Sequence, residues 1–305
     1  MTYSAKVVAD SIAGGKQLTT LEVTFPRYIL AEFNTHRVFS RNSASSRAIP
    51  VKTRVQQVRE NPFIPEFTKN RSGMQADAVL IDDDARNATA YWRGAARMAA
   101  DMAESLAYIE VHKQQANRLL EPFAWHTALV TSTYWDNFFA LRDHPAAAPE
   151  IQTIARMMKE AMVASTPKEL RVGEWHLPYV DAAEWDGTID VYGDGTYGVA
   201  ELVKVSVARC AAISYERQYA RKEFPELYTR HDDLKKSGHW SPFEHQAKVA
   251  AEWEIKEHAY HRWVGYGGQD DGSPDGYFEP VCIGNFEVPW FQYRKMIPGE
   301  AVFHG

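Results

Sequence analysis

The chain has 305 residues, 45% apolar and 24% charged, which are the proportions of an ordinary folded domain. They exclude a disordered chain, a collagen-like repeat and a membrane bundle, and no apolar run reaches the length of a membrane span. Lys plus Arg is 34 against Asp plus Glu 40, a net charge of −6. The surface as a whole therefore offers no footprint for nucleic acid or an anionic membrane, and any anion site must be a local cluster. Two cysteines, Cys210 and Cys282, are too few for a disulfide framework or a cysteine zinc site. They fit a reducing, cytoplasmic compartment, and the opening residues show no signal-peptide pattern.

Val7-Val8-Ala9 predicts a short strand, Gly14-Gly15 a turn, and the alternation from Leu18 to Phe25 a half-buried strand. Pro26 interrupts it and Tyr28-Ile29-Leu30 resumes the apolar run. Phe33 to Arg47 then reads as a polar loop with three arginines, four serines and no acid. Residues 53–80 read as irregular, punctuated by Pro62, Pro65 and Gly73. A long, well-packed helix is expected from Asp84 to about His112, with Trp92, Ala96, Met98, Met102 and Leu106 near helical spacing. A second is expected to stop near Pro122, and a third to cover Ala124–Leu141 with an aromatic face of Trp135, Phe138 and Phe139. Pro149 suits the first turn of a helix reaching about Val163.

Residues 165–197, with Trp175 and Trp185, read as a Pro, Gly and Asp-rich connection between a first part, 1–164, and a last part, 198–305. Ala200–Ser214 and Phe224–Lys236 predict helices, and Gly238–His245 predicts a turn entering a strand from Gln246 to Ile255. Gly265 to Gly276 holds five glycines and three aspartates, the composition of a mobile loop. Val281–Met296 returns to strand character.

Serine hydroxyls beside arginines suit a phosphate: the hydroxyls donate neutral hydrogen bonds and the guanidinium forks pair with phosphate oxygens bidentately. Arg37, Arg41 and Arg47, lacking a nearby carboxylate, repel one another unless solvated or matched by an anion. Most such runs are simply solvated basic loops. The glycine-rich stretch lacks the strand and helix context of a nucleotide fingerprint, and no G-x-S-x-G elbow marks a catalytic serine. His258 and His261 lack a third ligand, so no metal site is expected. Cys210 and Cys282 sit among apolar neighbours and read as buried, inert thiols.

Two motifs change this picture. His36-Arg37-x-x-Ser40-x-Asn42-x-x-Ser45-x-Arg47 resembles the Arg-His-Arg…Ser signature of the flavin-dependent thymidylate synthases, the ThyX family. Gly238-His239-Trp240-Ser241-Pro242-Phe243-Glu244-His245 is similar to that family's Gly-His-x-(Ser/Thr)-Pro-Phe-Glu-His turn. Arg118-Leu119-Leu120-x-Pro122, Asn137 with Arg142, and Glu150-Ile151 resemble its C-terminal helical region. The order differs, because in the family the turn and an Ala-Ala-Arg-x-Ser helix, here matched by Val205–Ser214, precede the arginine signature. A circular permutation accounts for this, since domain termini usually lie close together. A divergent, phage-type member would fit.

The resemblance implies an α+β fold with a mixed or antiparallel sheet and long helices. It also implies a homotetramer with active sites at subunit interfaces and reductive methylation of dUMP to dTMP. FAD is the implied cofactor, with NADPH and methylenetetrahydrofolate as co-substrates; no membrane or nucleic-acid partner is expected. Carried over by position, Ser45, Ser46, Arg47 and Arg118 would hold the nucleotide phosphate, and Arg142 and Glu32 would meet the pyrimidine. His36, Arg37, Asn137, Ser214, His239, Ser241 and Glu244 would contact the flavin, and Arg142 and His239 are the catalytic expectations. Departures fall at Thr35, Ser43, Glu32, Ala48 and Ala147–Ile151, which touch the base and sugar more than the phosphate. They leave open a C5 methylase or hydroxymethylase of another pyrimidine nucleotide, such as dCMP, or a non-catalytic nucleotide- or nucleic-acid-binding homologue.

Overall fold

A computed structural model describes residues 1–73, 78–180, 198–213, 224–260, 263–265, 276–278, 284–298 and 300. Strands β1 (Ser4–Ala13) and β2 (Lys16–Pro26) form an antiparallel hairpin. Its two-residue turn is Gly14-Gly15, with φ of 55° and 74°. That left-handed pair matches the twist of the flanking strands, and only glycine adopts it without strain. A 3₁₀ turn and the short helix α1 (Leu30–Phe33) follow, then β3 (Ser40–Ser43) and the helix α2 (Val51–Glu60). The long helix α3 (Asp82–Tyr108) leads to α4 (Lys113–Ala116) and a 3₁₀ segment, Asn117–Phe123.

Strand β4 (Trp125–Ser132) is followed by α5 (Asp136–Arg142) and α6 (Pro149–Val163). Short strands β5 (Lys168–Glu169) and β6 (Trp175–His176) precede α7 (Val199–Ala212) and α8 (Phe224–Lys236). The remaining elements are β7 (Ala247–Val249), α9 (Glu252–Tyr260), β8 (Trp263–Gly265), β9 (Gly276–Phe278) and β10 (Trp290–Gln292). The architecture is α+β. A five-stranded mixed sheet has the order β3-β4-β2-β1-β5, a three-stranded sheet the order β10-β7-β6, and β8 pairs with β9.

β2 is buried on both faces rather than half-buried, because a layer covers each side. Leu21, Val23 and Phe25 pack with Phe33, Phe138, Ile151, Ile154 and Met158 under α1, α5 and α6. On the other face Leu18 meets Ala247, Val249 and Trp290 of the smaller sheet. Burial of these aliphatic and aromatic side chains supplies the main driving force, at about 25 cal/mol per Å².

Several sequence expectations are corrected. The helix expected over Ala124–Leu141 begins as a strand: β4 pairs with β2 along its whole length, from Trp125 opposite Pro26 to Ser132 opposite Thr19. Its threonines and valine suit a pleated sheet, and only Asp136–Arg142 is helical. The stretch read as irregular contains α2, whose Val55 and Val58 pack on Ala96, Ala100 and Leu120. The long helix is present, yet Met98 and Met102 are exposed while Ala96, Ala100 and Ala103 face the core. The helix expected up to Leu120 loosens to 3₁₀ at Asn117, since Pro122 cannot donate to the ladder. The strand expected to Ile255 ends at Val249, where the Glu254 carboxylate accepts the Ala251 N–H at 2.9 Å and starts α9. Trp185, Ser214, His261, Cys282 and most of the glycine-rich loop lie outside the described residues.

Candidate functional site

The Arg/Ser segment is a strand followed by a loop, and the period of two divides its polar groups. Ser40 and Asn42 point inward and are buried. The Ser40 hydroxyl accepts from Gln292 Nε2 at 2.8 Å, and Asn42 Nδ2 donates to the Cys210 carbonyl at 2.8 Å. Asn42 Oδ1 in turn accepts from the Ser241 hydroxyl at 3.1 Å. These bonds hold β3 against α7 and against the Gly238–His245 turn, more than 190 residues away in sequence.

A cleft of about 460 Å³ opens at this junction. Ser43, Ser45 and Arg47 line one side, His239, Ser241 and Arg230 the other, with Ala48, Ala211, Leu234 and Pro242 as apolar wall. Among the described residues no carboxylate lines it. Arg47 makes no ion pair among the described residues, and its side chain is exposed. His239 Nδ1 lies 2.9 Å from the Ser237 hydroxyl. Arginine, hydroxyls and a neutral wall are the chemistry of a phosphorylated planar ligand, and the volume is that of an ordinary small-molecule site. Arg230 was missed in the sequence; it and Leu234 are four apart on α8, one helix face, and that spacing was the available signal.

A second group gathers where α1 meets α5. Arg142 Nε donates to His36 Nε2 at 3.0 Å, Arg142 Nη2 to Thr35 Oγ1 at 3.3 Å, and Glu32 lies 4.0 Å from the guanidinium. Burial, with Arg142 and Arg41 adding positive charge, pushes His36 below its ordinary pKa. A neutral ring is what accepting the Arg142 N–H requires. Arg37 and Asn137 are exposed. Arg41 is half-buried, with one bond to the Phe33 carbonyl at 3.4 Å. Burial lowers its pKa and Glu244 opposes that shift.

Arg118 and Ser46 form a third place. Glu121 accepts from Ser46 Oγ at 2.5 Å and pairs with Arg27 at 2.9 Å and Arg118 at 3.1 Å. Burial works against its charge, but Ser46, Arg27 and Arg118 together hold the carboxyl below its usual range. Ser46 and Arg118 are thus engaged by Glu121 and do not line the cleft within one protomer. Glu244 is paired with Arg294 and turned from the cleft; burial keeps its carboxyl above the ordinary range despite that partner.

Beneath the turn runs a buried chain of hydrogen bonds. Ser11 Oγ meets His176 Nδ1 at 2.9 Å, and His176 Nε2 meets Thr20 Oγ1 at 2.8 Å. Thr20 then meets Thr131 at 2.7 Å, and Thr131 meets His245 Nδ1 at 2.8 Å. Burial drives both histidines down to about 3, so both are neutral. Cys210 is buried, its thiol pushed up by burial, as expected of an inert core cysteine. Among the described residues no group of histidine, cysteine and acid side chains could hold a metal, and no helix is long and apolar enough to cross a membrane.

The chain is similar in structure to a UMP/dUMP methylase, PolB, from Streptomyces cacaoi bound with 5-Br UMP. The TM-score is 0.45 at 15% identity, over 53% of this chain and 89% of that one. It is also similar to Thymidylate Synthase X from Helicobacter pylori with FAD and dUMP, with a TM-score of 0.33 at 19% identity, over 48% and 67% of the two chains. No protein of curated function matches its sequence. Residues 17–168 match the model of the thymidylate synthase complementing protein family. That span holds the arginine signature, β4 and α6, and the chain belongs to this family.

Proposed function

We propose that the protein is a flavin-dependent methylase of a pyrimidine deoxynucleotide monophosphate. On this reading it is a thymidylate synthase acting on dUMP in a reducing, cytoplasmic compartment. It works as a homotetramer whose sites are shared between subunits. Residues 1–164 and 198–305 form one permuted domain joined by 165–197. Family membership supports a methyltransferase of this kind. The observation that carries the reading is the cleft lined by Arg47, Ser45, His239 and Ser241, with no carboxylate in its lining among the described residues.

The residues present fit a flavin and a nucleotide, both of which are phosphorylated planar rings. Ser45 and Arg47 would take a phosphate, and His239 and Ser241 a ring edge, while Ala48, Ala211 and Pro242 exclude water from its face. His36, Arg37, Asn137, Ser214 and Glu244 would complete the flavin contacts, and Ser46 and Arg118 the phosphate cradle when subunits meet. FAD, when bound, supplies hydride chemistry, with NADPH and methylenetetrahydrofolate as sources of electrons and carbon. The protein orients the ring, and Arg142, held by His36, would stabilise negative charge developing on the pyrimidine.

Titrating the protein with FAD and dUMP, then assaying turnover with both co-substrates, tests this. Arg47→Ala should weaken nucleotide binding by about 1.5–3 kcal/mol, the contribution of a charged hydrogen bond. A protein that cannot be loaded with flavin and ignores nucleotides overturns the reading. One observation favours a second substrate: the exposed Glu32 carboxylate beside Arg142 can accept from a cytosine amino group. Turnover of dCMP in place of dUMP would establish it.

A further inference from the structure

The loop that carries Ser45 and Arg47 to the cleft has no helix or strand of its own. It leaves β3 at Ser43 and enters α2 at Val51, with a turn closed by the Ala48 N–H on the Ser45 carbonyl at 2.9 Å. Burial divides it into two sides. Ala44, Ser46 and Ile49 are buried, whereas Ser45 and Arg47 are exposed. Such a segment keeps one shape only if its buried side is held, because fixing loop backbone costs entropy that one or two local bonds do not offset.

Among the described residues three side chains hold that side, and none of them is in the cleft lining. Asn117, 1% exposed, donates through Nδ2 to the carbonyls of Ser46 and Ile49, at 2.9 Å each. Those two carbonyls bracket Arg47. Arg27 donates to the Ala44 carbonyl at 3.3 Å, and Glu121 accepts from the Ser46 hydroxyl at 2.5 Å. Asn117 and Glu121 share the 3₁₀ segment Asn117–Phe123, which Leu120 anchors in the core beside Val55 and Ala96. The holders also brace one another. Arg27 pairs with Glu121 at 2.9 Å and bonds His126 Nδ1 at 2.9 Å, a nitrogen free to accept because burial keeps that ring neutral. With Arg118 also on Glu121, two guanidinium groups outweigh one carboxylate, so the support does not repel an anion across the loop.

We propose that Asn117, braced by Arg27 and Glu121, is a positioning residue that presents Ser45 and Arg47 as a preformed arm for an anionic ligand group. The Ser45 hydroxyl accepts the Arg47 N–H at 3.3 Å and so keeps its own proton for the anion. Arg47 adds the charged donors, and the backbone beneath both is in place before the ligand arrives, which removes an ordering cost from binding. The inference takes its ligand, a nucleotide phosphate, from the proposed function; its mechanism rests on the loop geometry.

A double-mutant cycle and hydrogen exchange on the full chain test this. By isothermal titration N117A should bind dUMP about tenfold more weakly than wild type, yet cost less than about twofold when Arg47 is already Ala. A merely structural role would cost the same in both backgrounds. In the ligand-free protein the Ala48 amide should exchange about tenfold faster in N117A than in wild type. Far-UV spectra show whether the variant folds, and N117S, which keeps a donor for one carbonyl, takes its place if it does not. Equal dUMP affinity of wild type and N117A, an equal cost with and without R47A, or an R47A that binds as wild type does overturns the proposal. A wild type that ignores dUMP sinks the methylase reading instead, and exchange then decides the positioning role: faster exchange at Ala48 in N117A upholds it and unchanged exchange overturns it.

Discussion

Thr131→Val removes one hydroxyl from the buried chain under the Gly238–His245 turn while keeping the shape of the side chain. Thr131 and His245 are both fully buried. Their bond is 2.8 Å, and Thr131 also bonds Thr20 at 2.7 Å. Thr20 keeps His176, so losing that link weakens the fold by about 1 kcal/mol. His245 fares worse, because its Nε2 already has no hydrogen-bond partner. With Val at 131 the ring would sit in the core with neither nitrogen satisfied, which costs about 1–3 kcal/mol more. The expected loss is about 2–4 kcal/mol, read as a lower urea midpoint at constant slope. Thr131→Ser, which keeps the hydroxyl, should lose far less. A loss below about 1 kcal/mol for Val would refute the reasoning, since it would mean His245 does not depend on Thr131.

Acid should destabilise the protein well above the carboxylate range. His126, His176 and His245 are each driven from 6.5 to about 3 by burial, so the unfolded chain takes up protons that the fold refuses. Stability is complete above 6.5 and falls as pH drops toward 3, with a slope of up to about 4 kcal/mol per pH unit for three protons. Urea midpoints equal at pH 7.5 and pH 5 would contradict this. Gly284→Ala should destabilise by about 2–4 kcal/mol in thermal unfolding. Its φ is +136° and an added Cβ would overlap the Gln292 side chain, which ties Ser40 to the Glu244 carbonyl. Wild-type stability in that variant would mean the contact relaxes freely. Arg230→Ala, in the lining of the cleft that also holds Arg47, should lower nucleotide affinity about tenfold, or about 1.4 kcal/mol, with an unchanged melting temperature. Unaltered binding by isothermal titration would remove Arg230 from the cleft.

The hairpin, α3, α6, α7 and α8 were legible because each has a local cause: Gly14-Gly15, alanine-rich periodicity, Pro149 at a first turn. β4 was not, because its identity depends on β2, about 105 residues away in sequence, which pairs with every one of its residues. Alanine and aromatic residues around it mimic a helical face, and tertiary pairing overrides that preference. The exposure of Met98 and Met102 was equally hidden, since periodicity shows that a face exists but not which face is covered. Both motifs were legible in the sequence, and Ser45, Arg47, His239 and Ser241 from the two of them line one cleft. The motifs could not foretell that Ser46 and Arg118 turn to Glu121, because that carboxylate has no place in either motif.

The same division explains how an acidic chain presents a positive site. Of the four serines in the Arg/Ser segment, Ser40 is bound to Gln292 and Ser46 to Glu121, while Ser43 and Ser45, whose hydroxyl accepts the Arg47 N–H at 3.3 Å, line the cleft. The acids nearby are occupied in the same manner: Glu121 by Arg27 and Arg118, Glu244 by Arg294, and Glu32 at 4.0 Å by Arg142. Arg37, Arg41 and Arg47 make no ion pair among the described residues. Three like charges within eleven residues repel one another, and Arg41 bears a desolvation cost as well. Among the described residues the neighbouring carboxylates are neutralised elsewhere and these guanidinium groups have no acidic partner, which is a local charge imbalance. A bound phosphate relieves that imbalance, so nucleotide binding should raise stability in proportion to its affinity and weaken with added salt.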